Sequence, residues 1–214
     1  MWTKYKVSVE FTEPFAAAIP RTEAEIRAML ENRMPGRKPE NAVPIDDLAS
    51  QVAAEVGIEE DDEDGFLPGW ATFKRNPLGL YYEGRCVRGH LKDCAGVLAG
   101  GFVDLKAFRS KFVNRVYVIE SQLPLMWGGV QITEPDGNQQ RFIQVMTRQG
   151  PRSSIKYIDY VDAGTALAYT IGLLDDGVIK RSHLDAVLEY GAVHGMGQER
   201  SQGWGRYSYQ IEAV

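Results

Sequence analysis

The run Gly195-Met196-Gly197-Gln198-Glu199-Arg200-Ser201-Gln202-Gly203-Trp204-Gly205 places four glycines in two G-x-G pairs, five residues apart. Glycine serves where the backbone needs φ > 0 or must approach another group closely. Two such pairs describe a shaped loop rather than a slack linker. Before the loop, Leu184, Val187 and Leu188 give the inward side of a helix that Ser182 and Asp185 can cap. After it, Arg206 to Ala213 alternates as a strand with Tyr207, Tyr209 and Ile211 on one face. The order helix, loop, strand excludes a dinucleotide fingerprint, which stands between a strand and the helix that follows. No Gly-Lys-Ser/Thr closes the motif, so a phosphate P-loop is excluded too. Two readings remain. The loop amides can form an anion nest, with Arg200 and Arg206 supplying charge and Trp204 a flat face for a base. Alternatively, the glycines only permit tight contact with the neighbouring helix.

The chain's 214 residues are enough for one sizeable core or one domain with an insertion. The net charge of −5 hides a split: residues 1–64 carry fifteen acids against seven bases, and residues 65–214 carry fourteen against seventeen. The acidity peaks at Glu59-Glu60-Asp61-Asp62-Glu63-Asp64, a run expected to be a solvated loop. The mildly basic remainder permits a polyanion without requiring one. No apolar run approaches the roughly 20 residues of a membrane span, so no membrane partner is expected. Cys86 and Cys94 fall on one expected helix about 12 Å apart, too far to pair. Unpaired thiols point to a reducing compartment, and cytoplasm is the expected location.

Lys4 to Phe11 alternates as a half-buried strand with Val7, Val9 and Phe11 inward. Short helices are expected near 23–32 and from Pro44 to Val56, followed by the acidic loop over 57–69. Strand pieces follow in 70–82. Arg85 to Leu98 reads as a helix with Val87, Leu91, Cys94 and Leu98 on its apolar stripe. Another helix is expected at 104–114, burying Leu105, Phe108 and Phe112, with strands at 115–120, 141–147, 155–161 and 165–174. Asp136-Gly137 and Asp175-Asp176-Gly177 mark turns. Mixed strands and helices with strands at both ends imply an α+β fold with a mainly antiparallel sheet.

Arg85, Arg88 and Lys92 form a second stripe on the 85–98 helix, able to neutralise phosphates or simply to face solvent. Arg148 and Arg152 flank Gly150-Pro151 in a loop that can line a groove or merely turn the chain. Of the three histidines, His90 falls nearer the apolar side of its helix and His183 follows the expected cap. His194 directly precedes the glycine loop and is the best placed for proton transfer. No second acid or base stands at a meaningful spacing, so the sequence gives no catalytic residue beyond this weak candidate. No His/Cys cluster or calcium-loop pattern implies a metal, and no cofactor is expected.

The glycine pattern, with Trp204 and Tyr207 in its hydrophobic places, resembles the glycine-rich loop of the RAMP superfamily, the RNA-binding backbone subunits and guide-processing endoribonucleases of CRISPR systems. The correspondence falls on Gly195, Gly197, Gly203 and Gly205 and covers barely a dozen residues. The segment Tyr82 to Lys92 is similar, more weakly, to the glycine-led turn by which those subunits enter a helix beside the RNA. Taken whole, with Gln149 to Arg152 and Leu188 to Gly191, the chain is also similar to bacteriophage proteins without assigned activity. The resemblance implies a single ferredoxin-like domain over 1–214, of the RRM/RAMP type. It would have an antiparallel sheet, helices on one face, and an acidic helical insertion at about 21–69. It implies non-catalytic binding of RNA or single-stranded DNA, with copies of itself or other phage or CRISPR proteins as further partners. In a phage-encoded protein the location would be the host cytoplasm. Two rivals stand beside it. One is a metal-independent endoribonuclease using His194; the other is an interaction protein that blocks CRISPR function through its acidic segment.

Overall fold

The computed structural model describes residues 1–17, 19, 20, 27, 44, 47, 48, 50, 51, 70–102, 105–147 and 150–214. The strands, in chain order, begin with β1 (Trp2–Phe11), β2 (Phe15–Ala16), β3 (Ile19–Pro20), β4 (Trp70–Thr72), β5 (Lys74–Asn76) and β6 (Gly79–Glu83). They continue with β7 (Val116–Val118), β8 (Gln122–Pro124), β9 (Met126–Trp127), β10 (Val130–Gln131), β11 (Gly137–Thr147), β12 (Gly150–Val161), β13 (Ala166–Leu174) and β14 (Tyr207–Ala213). Helix α1 (Gly84–Val97) and the short α2 (Phe108–Val113) lie between β6 and β7, and α3 (Arg181–His194) lies between β13 and β14. The fold is mixed α+β with antiparallel sheets and few helices. Two compact units are formed: Met1–Ala16 with Tyr81–Ile132 and Val161–Val214, and Ala17–Leu80 with Thr133–Tyr160.

The first unit is built on a sheet of order β10-β9-β13-β1-β14, with β7 also paired to β13. β1 is antiparallel to β13 on one side and to β14 on the other, with Val7 opposite Tyr169 and Ile211. β7 is antiparallel to β13 through Val118 opposite Ile171. Strict alternation in β1 buries Val7, Val9 and Phe11 and leaves Lys4, Lys6, Ser8 and Glu10 exposed. Both long helices pack on the buried face. Tyr207 on that face meets His90 of α1, and Tyr209 donates to the Asp185 carbonyl of α3 at 3.4 Å. In α1, Val87, Leu91, Cys94 and Ala95 are buried, and in α3 Leu184, Val187, Leu188 and Gly191 are buried. Each large aliphatic side chain so buried contributes about 1.5–3 kcal/mol, which is why these helices hold despite weak caps. The opposite face of the sheet carries polar side chains along its central strands, with Lys6, Ser8, Thr170 and Gln210 brought level by the register.

The second unit carries a sheet of order β11-β12-β4-β3, in which β11 and β12 form a long antiparallel hairpin and β4 joins β12 in parallel. Ile158 is fully buried there, beside a buried Asp159 that accepts the Asn138 side-chain amide at 2.8 Å. Arg75 and Glu134 form a two-point ion pair at 2.5 Å.

Several expectations need correction. The helix expected at 104–114 begins only at Phe108, because Ala107 is left-handed at φ 56° and breaks the path; Leu105 lies outside it. Ser182 does not cap α3. It sits inside the helix, whose cap is Lys180, and the Lys180 N–H donates to His183 Nδ1 at 3.1 Å. Gly137 opens β11 rather than closing a turn, and β8 to β10 were not anticipated at all. Of the helix expected at 23–32 only Arg27 is described, and it is helical; the acidic run 59–64 and Arg148 lie outside the described residues. Of the helix expected from Pro44, the described part shows the Leu48 amide donating to the Pro44 carbonyl at 3.1 Å.

Candidate functional site

The glycine loop is a closed clasp in the first unit. Gly195 ends α3 at φ 82°, its N–H donating to the Gly191 carbonyl at 2.9 Å. Met196, fully buried, donates its N–H to the Gly205 carbonyl at 2.8 Å, and the Gly205 N–H donates to the Pro14 carbonyl at 2.8 Å. The two G-x-G pairs therefore lock onto each other. A Cβ on Gly205 would collide with the Met196 carbonyl, and one on Gly195 would lie 2.5 Å from the Trp204 carbonyl oxygen. Gly197 lies against the Ala16 carbonyl and the Phe15 ring, where a Cβ would stand 2.7 Å from each. Between the pairs, Arg200–Gln202 forms a single 3-10 turn. There Gln202 and Trp204 donate to the Glu199 carbonyl, and Gly203 donates to Arg200. Close packing thus accounts for Gly195, Gly197 and Gly205, and six amides from 195 to 205 are spent inside the protein. What the loop presents outward is side chains: Arg200, Ser201, Gln202 and Arg206 are exposed, and Trp204 is half-buried.

Behind the loop lies a line of rings. Phe15 stacks on Phe11 at 4.1 Å and meets Tyr82 edge-on, and Phe11 meets Tyr207 at 6.3 Å. His90 Nε2 stands 3.1 Å from the Tyr207 hydroxyl, with the Cys94 thiol at 3.8 Å. This contact needs Gly191: a Cβ there would lie 2.6 Å from the Tyr207 hydroxyl and 2.7 Å from His90 Nε2. Burial first, then the neighbouring His194 and Arg200, push the His90 imidazole down to about 3, so it stays neutral. Burial, with Asp93 adding to it, pushes the Cys94 thiol up to about 12, which leaves it inert as a nucleophile. The Tyr207 hydroxyl is raised mainly by burial. Spacing alone gave no notice of this group, although a glycine inside a helical pattern, as at 191, usually marks a close approach.

His194 stacks on Tyr190 at 5.4 Å, and its Nε2 lies 3.0 Å from Arg200 Nη1. A guanidinium has only donors, so Nε2 is the acceptor and its lone pair is taken. Burial and then Arg200 lower the His194 pKa, with Asp93 opposing. His183, whose Nδ1 accepts the Lys180 N–H, packs edge-on against Phe102 and Phe108.

The basic stripe of α1 is divided. Arg85 is exposed and pairs with Glu83 at 2.7 Å, and Lys92 is exposed. Arg88 is drawn away: its Nη2 donates to the Val113 carbonyl at the end of α2 at 3.0 Å, and its guanidinium lies 4.4 Å over the Tyr117 ring. Arg88 thus reaches the α2 side of α1, while His90, about 200° around the helix at 3.6 residues per turn, reaches the α3 side. The stripe and the glycine loop address different sides of α1. Arg88→Met is expected to cost about 1–2 kcal/mol in urea unfolding, since it removes a charged hydrogen bond and a cation–π contact. Arg152 stands opposite Val145 in the β11–β12 hairpin of the second unit. Among the described residues no three His, Cys, Asp or Glu side chains gather to hold a metal ion, and no helix is long and apolar enough to cross a membrane.

No protein-family model matches this chain, and no curated protein matches it. Solved structures do. The chain is similar to one in the cryo-EM structure of the Type III-B Cmr-beta bound to cognate target RNA, with 11% identity and a TM-score of 0.48 over all of this chain. It spans 61% of that chain's length. It is also similar to a chain of a Type IV-B CRISPR complex, with 11% identity, a TM-score of 0.45, and coverage of 99% of this chain and 91% of the other.

Proposed function

We propose that this protein binds RNA or single-stranded DNA without cutting it, as a RAMP-type protein whose ferredoxin-like core is the first unit. The observation that carries the reading is topological. The succession β1, α1, β7, β13, α3, β14, with the antiparallel order β14-β1-β13-β7, supports it, since this is the order expected of a ferredoxin-like domain. The clasped loop stands on the connection between its last helix and last strand, where the resemblance to RAMP proteins puts it. On this reading residues 21–69 are an insertion into that core.

The geometry alters how such a loop would hold its ligand. Its amides are largely spent, so the contact falls to the exposed Arg200 and Arg206 and to the face of Trp204. Stacking on a base contributes about 1–3 kcal/mol. Trp204→Ala is therefore expected to weaken binding of a short labelled single-stranded oligonucleotide roughly tenfold at fixed salt, measured by fluorescence anisotropy. Arg206→Ala should lower the slope of log affinity against log salt by about one. If Trp204→Ala combined with Arg200→Ala binds as the wild type does, the loop is not the contact. His194 does not favour the ribonuclease reading, because its free nitrogen pair is occupied by Arg200.

A further inference from the structure

The contact between His194 and Arg200 joins the last residue of α3 to the 3-10 turn of the loop, and it exists in only one protonation state. Arg200 Nη1 donates to His194 Nε2 at 3.0 Å, so the ring is neutral with its proton on Nδ1. Protonation at Nε2 converts the acceptor into a donor and sets two cations face to face. The contact must then open. The groups that act on this imidazole come from three elements. Tyr190 of α3 stacks on it, His90 of α1 lies parallel at 6.3 Å, Asp93 of α1 favours its charged form, and Arg200 opposes that form. His90 is held neutral by burial and adds no second charge. Arg200 is exposed and His194 half-buried, so an anion can reach both.

We propose that His194 and Arg200 form a proton-gated oxyanion site that takes a phosphate group. With the imidazole neutral, Arg200 is held on the ring and is withdrawn from ligands. When His194 takes a proton from solvent, both side chains become donors, and one phosphate oxygen pair accepts from both. The bound state holds one more proton than the free state, so affinity rises as pH falls. The proposal rests on the reading of the loop as a nucleic-acid contact and names the chemistry of that contact.

The test uses the full chain and two probes, a short single-stranded oligonucleotide and inorganic phosphate. With the oligonucleotide, affinity should rise as pH falls from about 7.5 to about 5.5, by up to about tenfold per unit, one proton being taken up. His194→Gln should flatten that dependence, because the Gln oxygen still accepts from Arg200 and never protonates. His183→Gln should keep it, since Gln is the usual residue at that capping position. With phosphate, the His194 ring signal followed by NMR should titrate at higher pH than in its absence. In Arg200→Gln without ligand it should also move up, because a cation is removed. Oligonucleotide binding that is flat with pH, yet weakened by Trp204→Ala, overturns the gate and leaves the proposed function standing. No oligonucleotide binding at any pH overturns the proposed function; a phosphate-induced shift of His194 would then restrict the site to free phosphate-type anions. An imidazole that phosphate does not move overturns the gate whatever the oligonucleotide does.

Discussion

Gly205→Ala is expected to cost about 3–5 kcal/mol in urea unfolding of the full chain, a large part of the stability of an ordinary domain. Three effects combine. Gly205 has φ 70°, a left-handed backbone that costs an L-residue roughly 1–2 kcal/mol. Its Cβ would collide with the Met196 carbonyl, which is backbone and cannot swing aside, so the two strands of the clasp must separate at a cost of about 1–3 kcal/mol. Separation lengthens the two bonds that hold Gly205, in which Met196 donates to Gly205 and Gly205 donates to Pro14, each contributing about 1 kcal/mol. Gly203→Ala is the comparison. Its φ of 85° is just as unfavourable, but the nearest atoms to a Cβ belong to the Arg206 guanidinium at 3.6 Å, which can move. It should lose only about 1–2 kcal/mol. Equal losses in the two variants would mean that backbone conformation alone, and not the interlocked base, makes these positions glycine.

That contrast also shows what could be read before the structure and what could not. β1, α1, α3, β13 and β14 follow their sequence patterns because each buries one face, and burial writes a period of 2 or 3.6 into the chain. The glycine loop was legible as a shaped object, but its two readings could be separated only by knowing that residue 196 folds back on residue 205. Short strands such as β9 and β10 leave no period to detect in two residues apiece. α2 is shorter than its sequence pattern suggests because nothing in Leu105-Lys106-Ala107 announces a left-handed alanine. The helical wheel puts Arg88 in one stripe with Arg85 and Lys92, since it records only direction. The carbonyl and ring that capture it come from Val113 and Tyr117, which local spacing does not connect to it. His90 is buried, as its place near the apolar side of the helix implies, but its partner Tyr207 is 117 residues away.

Burial in that contact also makes His90 an acid liability for the fold. Burial holds its imidazole neutral down to about pH 3, with His194 and Arg200 adding to the effect, while an unfolded histidine titrates near 6.5. Below that ordinary midpoint the unfolded chain takes up a proton at this position and the folded protein does not. The stability carried by neutral His90 is therefore complete above about pH 6.5 and is lost as pH falls toward 3. Between about pH 6.5 and 4 the loss from this one group should be roughly 3 kcal/mol. His90→Gln removes the titration while keeping an amide able to bond the Tyr207 hydroxyl. It is expected to be the less stable protein near pH 7, because the stacked ring is gone. The gap to the wild type should close as pH falls and reverse if the initial gap is below the acid loss. Urea unfolding of both proteins across pH 4 to 7 gives the two curves, and carboxylates common to both cancel in their difference. His194→Gln and His183→Gln, measured alongside, separate the contributions of the other two lowered imidazoles. Parallel curves for His90→Gln and wild type would show that position 90 takes up no extra proton on unfolding, and that burial of this imidazole does not weaken the fold in acid.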